Sequence, residues 1–437
     1  MPHPAKPKQA SLLPQSGMRN YFFGGLVSQN NISVGIDVGS TKIITCVGKF
    51  ENGTVDIIGL GKSNNQGVRK GVIVDIEETV SAISSSLEEA ERMAGFPLQS
   101  AVIGISGPHI ESEESKGVIA VTRTDGEITD EDAKRAIDAA KAIPNKPNRE
   151  VLHVIPKTFI IDGQEAIKDP TGMTGIRLEV DANIISTSTN ALKSLTRSID
   201  QAGLHIEEIV FSPIATTKVL LSKRQMDIGV ALIDLGASTT SFAVYEEGDL
   251  IHCGVVPIGS THITNDIAIG LRTNIDIAEM IKVKYGYAIP DKVAEKDEIA
   301  LNKLDKNEEG IANVKYVSEI IEARLNEIFS LIKNDLSKIG RDGTLPAGIV
   351  LTGGGTKIDG VVELAKSTMC LPAQIGKPIM EISGLVDKTD DPVYSTSIGL
   401  MLWGKDKIGG GNSFDFDVKN LNGILGKVRS AFKNFLP

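Results

Sequence analysis

The amino-acid sequence predicts an α/β protein built from two similar lobes. Two observations predict this arrangement. A strand–turn–strand motif that opens on an aspartate occurs early in the chain, at Asp37, and again in its second half, at Asp234. A later apolar strand runs into three consecutive glycines. One motif repeated at such long range indicates two related lobes rather than a solenoid.

Each copy of the repeated motif combines a tight turn with hydrogen-bond donors. Glycine lets a turn approach a ligand closely, and successive backbone N–H groups form a concave site for an anion. Strand-forming residues flank both turns. The predicted phosphate-binding residues are Gly39, Ser40, Thr41 and Lys42 in the first copy and Gly236, Ala237, Ser238 and Thr239 in the second.

The aspartate of each copy predicts a metal ion. A carboxylate repels phosphate but binds magnesium, which keeps several water molecules and uses one or two carboxylates. Asp37 and Asp234 are therefore expected to hold Mg²⁺ through water on the phosphate tail of a nucleotide. One such turn alone is more often an ordinary hairpin, so the nucleotide interpretation depends on the second copy and on the glycines.

The three glycines follow the apolar strand Ile349 to Thr352 and precede a helix predicted over 359–367. A flexible linker would not follow so apolar a strand, whereas close backbone approach to a flat ligand fits the pattern. Gly353, Gly354 and Gly355 are therefore predicted to contact the nucleotide.

Together these residues resemble the ATPase signature shared by actin, the heat-shock chaperones, the sugar kinases and the FtsA family of bacterial division proteins. The resemblance implies a two-lobed actin-like ATPase fold with ATP and Mg²⁺ as cofactors. It also implies that Glu279 and Lys282 lie against the ribose and base. Their spacing alone would favour a solvated ion pair on one helix face.

Two insertions favour the FtsA family within this superfamily. Residues 98–188 leave the ATPase pattern and form a separate module, and Gly104 to Gly107 resembles the first strand and turn of that family's inserted module. Residues 270–346 form a second insertion with a long amphipathic helix predicted over 316–339. The resemblance covers residues 32–404 approximately.

The expected boundaries follow from these features. Residues 1–30 are interrupted by prolines and lack the apolar run of a secretory signal, so they are predicted to be a disordered tail. The other expected segments are the lobe-one core at 31–97, 189–225 and about 395–405, the lobe-one module at 98–188, the lobe-two core at 226–269 and 347–394, its insertion at 270–346, a flexible linker at 406–420 and an amphipathic helix at 421–437.

The last of these segments predicts a membrane-surface helix, which the resemblance also places there. A core helix could show the same apolar stripe, but it is rarely tethered through a triple glycine such as that at 409–411. The apolar face consists of Leu421, Ile424, Leu425, Val428, Phe432, Phe435 and Leu436, and the basic residues off that face are Lys427, Arg429 and Lys433.

The resemblance further implies protein partners. In the FtsA family the second insertion receives the C-terminal peptide of the tubulin-like protein FtsZ, and an arginine there matches Arg324, with Glu327 one turn later. A merely solvated Arg324 is the alternative. The lobe-one module would face later division proteins and neighbouring subunits of a polymer.

Composition excludes several other functions. A net charge of −10 argues against a general nucleic-acid-binding protein. The three cysteines have no paired spacing and the six histidines are scattered, so no disulfide framework or zinc site is predicted. No segment approaches the run of about 18 apolar residues that a membrane span needs.

The leading hypothesis is thus an ATP-binding adaptor at the division septum that polymerises on the cytoplasmic face of the inner membrane and tethers FtsZ filaments there. One alternative is a pilus-assembly adaptor of the PilM type, and another is a sugar kinase or phosphohydrolase of the same fold. Ser212 stands where chaperone-type ATPases carry a catalytic glutamate, and serine is a poor base at neutral pH. At most weak ATPase activity is expected.

Overall fold

The computed structural model describes residues 31–51, 53–142, 146–306 and 308–408. The predicted N-terminal tail, the glycine-rich segment after residue 408 and the predicted membrane helix lie outside the described residues. None of the described helices has the length and apolar character needed to cross a bilayer.

The described strands, in chain order, are β1 Ile32–Val38, β2 Lys42–Glu51, β3 Thr54–Asn64, β4 Val68–Arg69, β5 Val72–Ile73, β6 Ser100–Ile105, β7 Glu111–Ala120, β8 Arg149–Ile161, β9 Gln164–Ile167, β10 Arg177–Ser188, β11 His205–Phe211, β12 Val230–Leu235, β13 Thr240–Glu246, β14 Asp249–Val256, β15 Glu298–Ala300, β16 Ile311–Asn313, β17 Ile349–Thr352, β18 Ala373–Ile375 and β19 Ile382–Gly384.

The described α-helices are α1 Ile76–Ala94, α2 Asp130–Ala142, α3 Thr189–Gln201, α4 Ser212–Leu220, α5 Lys223–Ile228, α6 Ser260–Leu271, α7 Ile275–Tyr285, α8 Val314–Lys338, α9 Val361–Met369, α10 Val386–Thr389 and α11 Ser395–Ile408. The sequence predicts a helix over 130–142 in the inserted module, and α2 has these bounds. α8 and α9 each lie within two residues of the predicted 316–339 and 359–367. The helix α11 runs three residues into the linker that was expected to begin at residue 406.

The two main sheets share one plan, as the repeated motif predicts. Lobe one has the strand order β11-β6-β1-β2-β3-β19, and lobe two has the order β14-β13-β12-β17-β18. In each, an antiparallel meander (β1-β2-β3 or β12-β13-β14) carries the motif in its first turn, and a strand from later in the chain (β6 or β17) pairs in parallel with the first strand. The strands of both sheets carry mainly apolar side chains, because helices cover the sheets.

The inserted lobe-one module is a separate small layer. Its sheet has the order β7-β10-β8-β9, and α2 packs on that sheet through alanines and isoleucines, including Ala133, Ala136 and Ile137. The expected boundary at residue 98 is too early, because β6 (Ser100–Ile105) pairs with β1 and β11 in the lobe-one sheet. The module therefore begins in the turn after β6.

The second insertion is not a separate layer. The buried face of α8 includes Leu325, Ile328 and Phe329, and it packs into the same core as the lobe-two strands. Asn313 caps the helix by accepting from Tyr316 N, and Gly340 follows its end with a φ of +69°.

Lobe one is completed by residues from the far end of the described chain. β19 pairs with β3 in lobe one, although residues 347–394 were expected to belong to lobe two. The helix α11 then packs against β1 and α4. This contact is close because it is made by glycines: a Cβ on Gly35 would lie 2.4 Å from Ser397 O, and one on Gly399 would lie 2.3 Å from Ala215 O.

Candidate functional site

A cleft of about 720 Å³ lies between the two lobes. Every nucleotide-binding residue predicted from the sequence lines it, although these residues come from four separate stretches of the chain: Asp37, Gly39, Ser40, Thr41, Lys42, Asp234, Gly236, Ala237, Ser238, Thr239, Glu279, Lys282, Gly353, Gly354 and Gly355.

The two motif turns have the same local geometry. A Cβ on Gly39 would lie 2.7 Å from Lys42 O, and one on Gly236 would lie 2.7 Å from Thr239 O. Neither turn could hold a larger residue without opening. The lobe-two turn is fixed further by the start of α6, because Ser260 N donates to Gly236 O over 2.9 Å. The two copies of the motif therefore match in the positions of equivalent atoms as well as in sequence.

The triple glycine packs against the second turn. Gly353 has a φ of +88°, and a Cβ there would lie 2.2 Å from Asp234 Oδ1. The next residues, Gly354 to Lys357, form a short 3₁₀ turn. A Cβ on Gly354 would lie 3.4 Å from Lys42 Nζ, which belongs to the other lobe. Gly353 and Gly355 thus let the turn pack closely on Asp234 and Leu235, whereas Gly354 is exposed in the cleft.

The two aspartates are half-buried, and their surroundings disfavour the charged form of each. Burial raises the pKa of Asp37, the neighbouring Asp234 raises it further, and Lys42 opposes the rise. Burial also raises the pKa of Asp234, against a hydrogen bond from Thr396 Oγ1 (3.3 Å) and the charge of Lys42. A hydrated Mg²⁺ would stabilise both carboxylates in their charged form, so this pair fits the predicted ion.

Three lysines give the cleft its positive side. Burial lowers the pKa of Lys42, and the charges of Lys62 and Lys357 lower it further. Lys357 is paired with Asp391 (2.5 Å). An anion such as a polyphosphate would offset the repulsion between Lys42 and these like charges. Lys62 and Lys357 were not predicted from the sequence.

Glu279 and Lys282 form a hydrogen-bonded cluster rather than a solvated pair. Lys282 is buried, and its Nζ donates to Glu279 Oε2 (2.6 Å) and to Thr264 Oγ1 (2.7 Å). The Glu279 side chain keeps 48% of its surface exposed, and it lines the cleft. The lysine therefore positions a carboxylate that is accessible to a ligand, which suits a contact with ribose hydroxyl groups.

Several residues that line the cleft were not predicted from the sequence, among them Thr396 and Gly71. Thr396 is the second residue of α11, and Gly71 lies in the short turn between β4 and β5. Neither belongs to a repeated motif. The only available signal for Gly71 is a glycine between Arg69-Lys70 and the β-branched run Val72-Ile73-Val74, where it could be the second residue of a two-residue hairpin turn.

Ser212 lies at the start of α4 and lines the cleft. It is buried, and its carbonyl oxygen accepts from Thr216 Oγ1 (2.9 Å). The carboxylates in the described lining of the cleft are Asp37, Asp234, Asp276 and Glu279. A general base at position 212 is therefore absent from that lining, as the sequence indicates.

A second, smaller groove of about 340 Å³ lies between α6 and α8. Arg324 borders it and forms a two-point ion pair with Asp266 (Nε–Oδ2 2.6 Å, Nη2–Oδ1 2.9 Å), and it also contacts Glu327. Ile269 and Tyr316 expose apolar surface there. Arg324 is thus held in place by acids beside an apolar groove rather than solvated alone.

The paired sheets and the cleft between them define the actin-like ATPase fold. Solved structures with this fold include the PilM–PilN type IV pilus biogenesis complex (TM-score 0.64, 16% identity, covering 85% of this chain and 98% of that chain). MreB5 of Spiroplasma citri bound to ADP is another (TM-score 0.53, 13% identity, covering 88% and 100%). At such low identity these likenesses show the fold alone.

Sequence similarity identifies the family. The family model described as cell division protein FtsA matches residues 231–399, and the one described as the SHS2 domain inserted in FtsA matches residues 107–186. FtsA of Pseudomonas aeruginosa is 34% identical over 388 residues, covering 89% of this chain and 92% of that protein. For FtsA of Borreliella burgdorferi the values are 37% over 406 residues, 92% and 98%. This chain belongs to the FtsA family of cell division proteins.

Proposed function

We propose that this chain binds Mg-ATP between its lobes, polymerises on the inner face of the cytoplasmic membrane, and tethers FtsZ filaments to that membrane during division. The observation that carries the nucleotide part is the pair of matching turns, at Gly39 and Gly236, on opposite walls of one cleft. Membership of the FtsA family supports the role in division.

Each group in the cleft has a distinct role in this proposal. The backbone N–H and hydroxyl groups of the two turns and the ammonium group of Lys42 bind the phosphates. Asp37 and Asp234 hold Mg²⁺ through water, and the ion neutralises phosphate charge. The Gly353 turn lies against the adenosine, and Glu279, oriented by Lys282, binds the ribose.

The nucleotide site is tested by removing one carboxylate. Asp234→Ala should weaken Mg-ATP binding by about tenfold or more, or roughly 1.4 kcal/mol, because it removes a group that positions the hydrated ion. Calorimetry on the purified protein measures the affinity. Asp138→Ala, on the exposed face of α2, is the control and should bind as wild type. Unchanged affinity in Asp234→Ala would refute the site.

An adaptor fits the cleft better than an enzyme does. Phosphoryl transfer or hydrolysis needs a group that orients or deprotonates the nucleophile. A serine stands at position 212, where chaperone-type ATPases carry a glutamate. The proposed nucleotide therefore sets the conformation of the lobes, and turnover is slow.

The groove between α6 and α8 is the proposed FtsZ site. Its apolar surface suits apolar side chains of a peptide, and Arg324 offers a cation to an acidic side chain or a terminal carboxylate. Because Asp266 already pairs with Arg324, a peptide carboxylate would share the guanidinium through its remaining N–H groups. Glu327 would then favour a basic residue nearby in the peptide.

The FtsZ site is tested by charge reversal. Arg324→Glu should weaken binding of an FtsZ C-terminal peptide at least tenfold, while affinity for ATP stays constant. Arg341→Glu is a matched control, because Arg341 also pairs with a carboxylate of lobe two, that of Glu246, but lies outside the groove. Equal loss of peptide and ATP binding would indicate misfolding, and retained peptide binding would refute the contact.

The remaining parts of the chain complete the proposal. The lobe-one module, a compact layer that projects from the β6–β7 turn, is the proposed contact for neighbouring subunits and later division proteins. Residues 421–437 are the proposed anchor, in which three basic residues contribute about 3 kcal/mol at an anionic leaflet. One such helix binds reversibly, whereas many on one polymer bind durably, because each later contact is intramolecular.

A further inference from the structure

The lobe-one module is attached to its lobe by two adjacent crossings of the chain. The chain leaves β6 through a turn closed by Ile110 N donating to Gly107 O (3.0 Å), and it returns at the end of β10, at Thr187. His109 lies in the outgoing crossing, and its Nδ1 is 2.8 Å from Thr187 Oγ1 in the returning one. Arg149 of β8 also donates to the His109 carbonyl oxygen (3.0 Å). His109 therefore joins the strands at the base of the module.

This base forms part of the cleft wall. Asp37 of β1 is paired with Gly104 of β6, just as Asp234 of β12 is paired with Thr352 of β17. In lobe two, the triple glycine follows β17 and enters the cleft. The turn after β6 leaves the lobe-one sheet at the equivalent position. Ser106 of this turn lines the cleft. The module thus begins where the other lobe carries a nucleotide-contacting turn.

The ring of His109 faces a hairpin that reaches the other lobe. Lys70 and Gly71, with φ values of +51° and +73°, form the tip of the β4–β5 hairpin. A Cβ on Gly71 would lie 2.9 Å from Gly107 Cα and 3.2 Å from Cγ2 of Thr239, in the phosphate-binding turn of lobe two. This tip therefore fits between the base of the module and the opposite wall of the cleft.

The second ring nitrogen of His109 lies beside this tip. A Cβ on Gly107 would be 2.5 Å from Gly71 O and 2.7 Å from His109 Nε2, so the carbonyl and the ring are neighbours. Burial lowers the pKa of His109, and a hydrogen bond with the Gly71 backbone opposes that change. A ring N–H that donates to a carbonyl oxygen favours the protonated form of histidine, so such a contact raises its pKa.

We propose that His109 is a positioning residue for the nucleotide cleft, which holds the Gly71 turn against Thr239 and thereby couples the inserted module to nucleotide binding. The inference rests on the proposed nucleotide site. Because coupling between two sites is reciprocal, a ligand bound to the module would change the affinity for nucleotide by the same factor as nucleotide changes the affinity for that ligand.

Two substitutions at His109 separate a positioning role from simple packing. The side-chain amide of glutamine can place a donor where Nε2 lies, whereas that of asparagine reaches only the place of Nδ1. His109→Asn should weaken Mg-ATP binding about fivefold, since the ring nitrogen beside Gly71 O is lost, and His109→Gln should restore the affinity to within about twofold. Gly71→Ala, which forces the turn away from Gly107, should also weaken binding.

Hydrogen exchange gives a readout that does not depend on affinity. At saturating Mg-ATP, the backbone amides around His109 and Thr187 should become more protected in the wild type and in His109→Gln, but less so in His109→Asn. Ser115→Ala is the control within the module, because Ser115 donates to Ala140 O (2.8 Å) away from the base. It should leave both affinity and the protection pattern unchanged.

The outcomes are distinguishable. If wild type fails to bind Mg-ATP, both the proposed function and this inference are wrong. If wild type binds but asparagine and glutamine variants bind equally well, or equally poorly, only the role of His109 is refuted. If His109→Asn unfolds, Gly71→Ala decides: normal affinity and normal protection at the base of the module would overturn the inference.

Discussion

Among single residues, the two aspartates of the cleft show how a binding site can oppose stability. Both are carboxyl groups in a buried setting, and burial raises the pKa of Asp37 to about 7 and that of Asp234 to about 6. Lys42 offsets this only in part, so keeping both carboxyl groups ionised without a divalent cation destabilises the folded state. The same destabilised charges are what make the cleft attract a divalent ion.

This conflict predicts a pH dependence with a definite sign. Below about pH 4 the folded and unfolded chains both hold the Asp37 proton, so that group carries no penalty. Between pH 4 and 7 the folded chain retains the proton while the unfolded chain releases it. The free energy of unfolding of the nucleotide-free protein should therefore fall as the pH rises through this window, and the penalty should be complete above it.

Asp37→Asn should remove that penalty. At pH 8 and without nucleotide, we expect the variant to be more stable than wild type, on the order of a few kcal/mol, while it loses affinity for Mg-ATP. Denaturant unfolding at pH 5 and pH 8 measures the first effect and calorimetry the second. Asp138→Asn, an exposed aspartate on α2, should change neither. A variant that is less stable than wild type at pH 8 would contradict the buried-charge interpretation.

The cleft also shows which residues a sequence can predict. Asp37, Gly39, Asp234 and Gly236 were predictable because each turn is specified by a short contiguous motif, and the motif is repeated. Thr396 was not, since its contact with Asp234 of lobe two (3.3 Å) depends on how α11 packs on lobe one. Long-range placement of this kind leaves no local pattern in the sequence.

Among the helices, α11 packs closely against its neighbours. A Cβ on Gly399 would be 2.3 Å from Ala215 O and 2.9 Å from Thr216 Cα, both backbone atoms of α4. A Cβ on Gly404 would be 2.2 Å from Ser33 Oγ, which is the end of a side chain that can rotate. The two glycines on one helix therefore differ in what a methyl group would displace.

Gly399→Ala should destabilise the protein by about 2 kcal/mol, because backbone atoms must separate to admit the methyl group. Gly404→Ala is the matched control and should be nearly neutral, since Ser33 can move and alanine favours the helix by about 1 kcal/mol. Midpoints of chemical unfolding compare the two. Equal effects would show that α11 is packed less rigidly against α4 than these distances require.

Strand β6 explains why the start of the inserted module was misplaced. Its residues Val102, Ile103 and Ile105 are apolar and β-forming, so they fit a strand of either layer equally well. Only the parallel pairing with β1 and β11 assigns β6 to lobe one. The bounds of α2 were correct because an acidic first turn, Asp130 to Asp132, precedes a regular apolar face.

For the protein in its cellular setting, the sharpest prediction concerns residues 421–437. A protein without them should stay folded and bind Mg-ATP, because the residues that line the cleft all come from the chain before residue 400. It should remain in the supernatant with anionic liposomes, whereas the full chain pellets. Phe432→Glu should act similarly, since a charge on the apolar face must be desolvated or the helix must lift.

Salt provides the complementary measurement. Raising the ionic strength should weaken liposome binding of the full chain only in part, because burial of Ile424, Leu425 and Phe435 is not screened. At low salt, Lys427→Glu should bind liposomes more weakly than the unmodified full chain. At high salt, where charges are screened, the two should bind almost equally. If the shortened protein still pelleted with liposomes, the anchor would lie elsewhere.

The return of β19 and α11 to lobe one has a consequence for the order of synthesis. Lobe one begins with β1 at Ile32, yet its core is closed only by helix Ser395–Ile408, whereas the strands of the lobe-two sheet run without interruption by lobe one from Val230 to Ile375. On the ribosome, the second lobe can therefore mature before the first, which inverts the usual sequence. A chain broken off before residue 395 would present an unfinished core to proteases, and cells would clear it rather than let it join a polymer as a defective subunit.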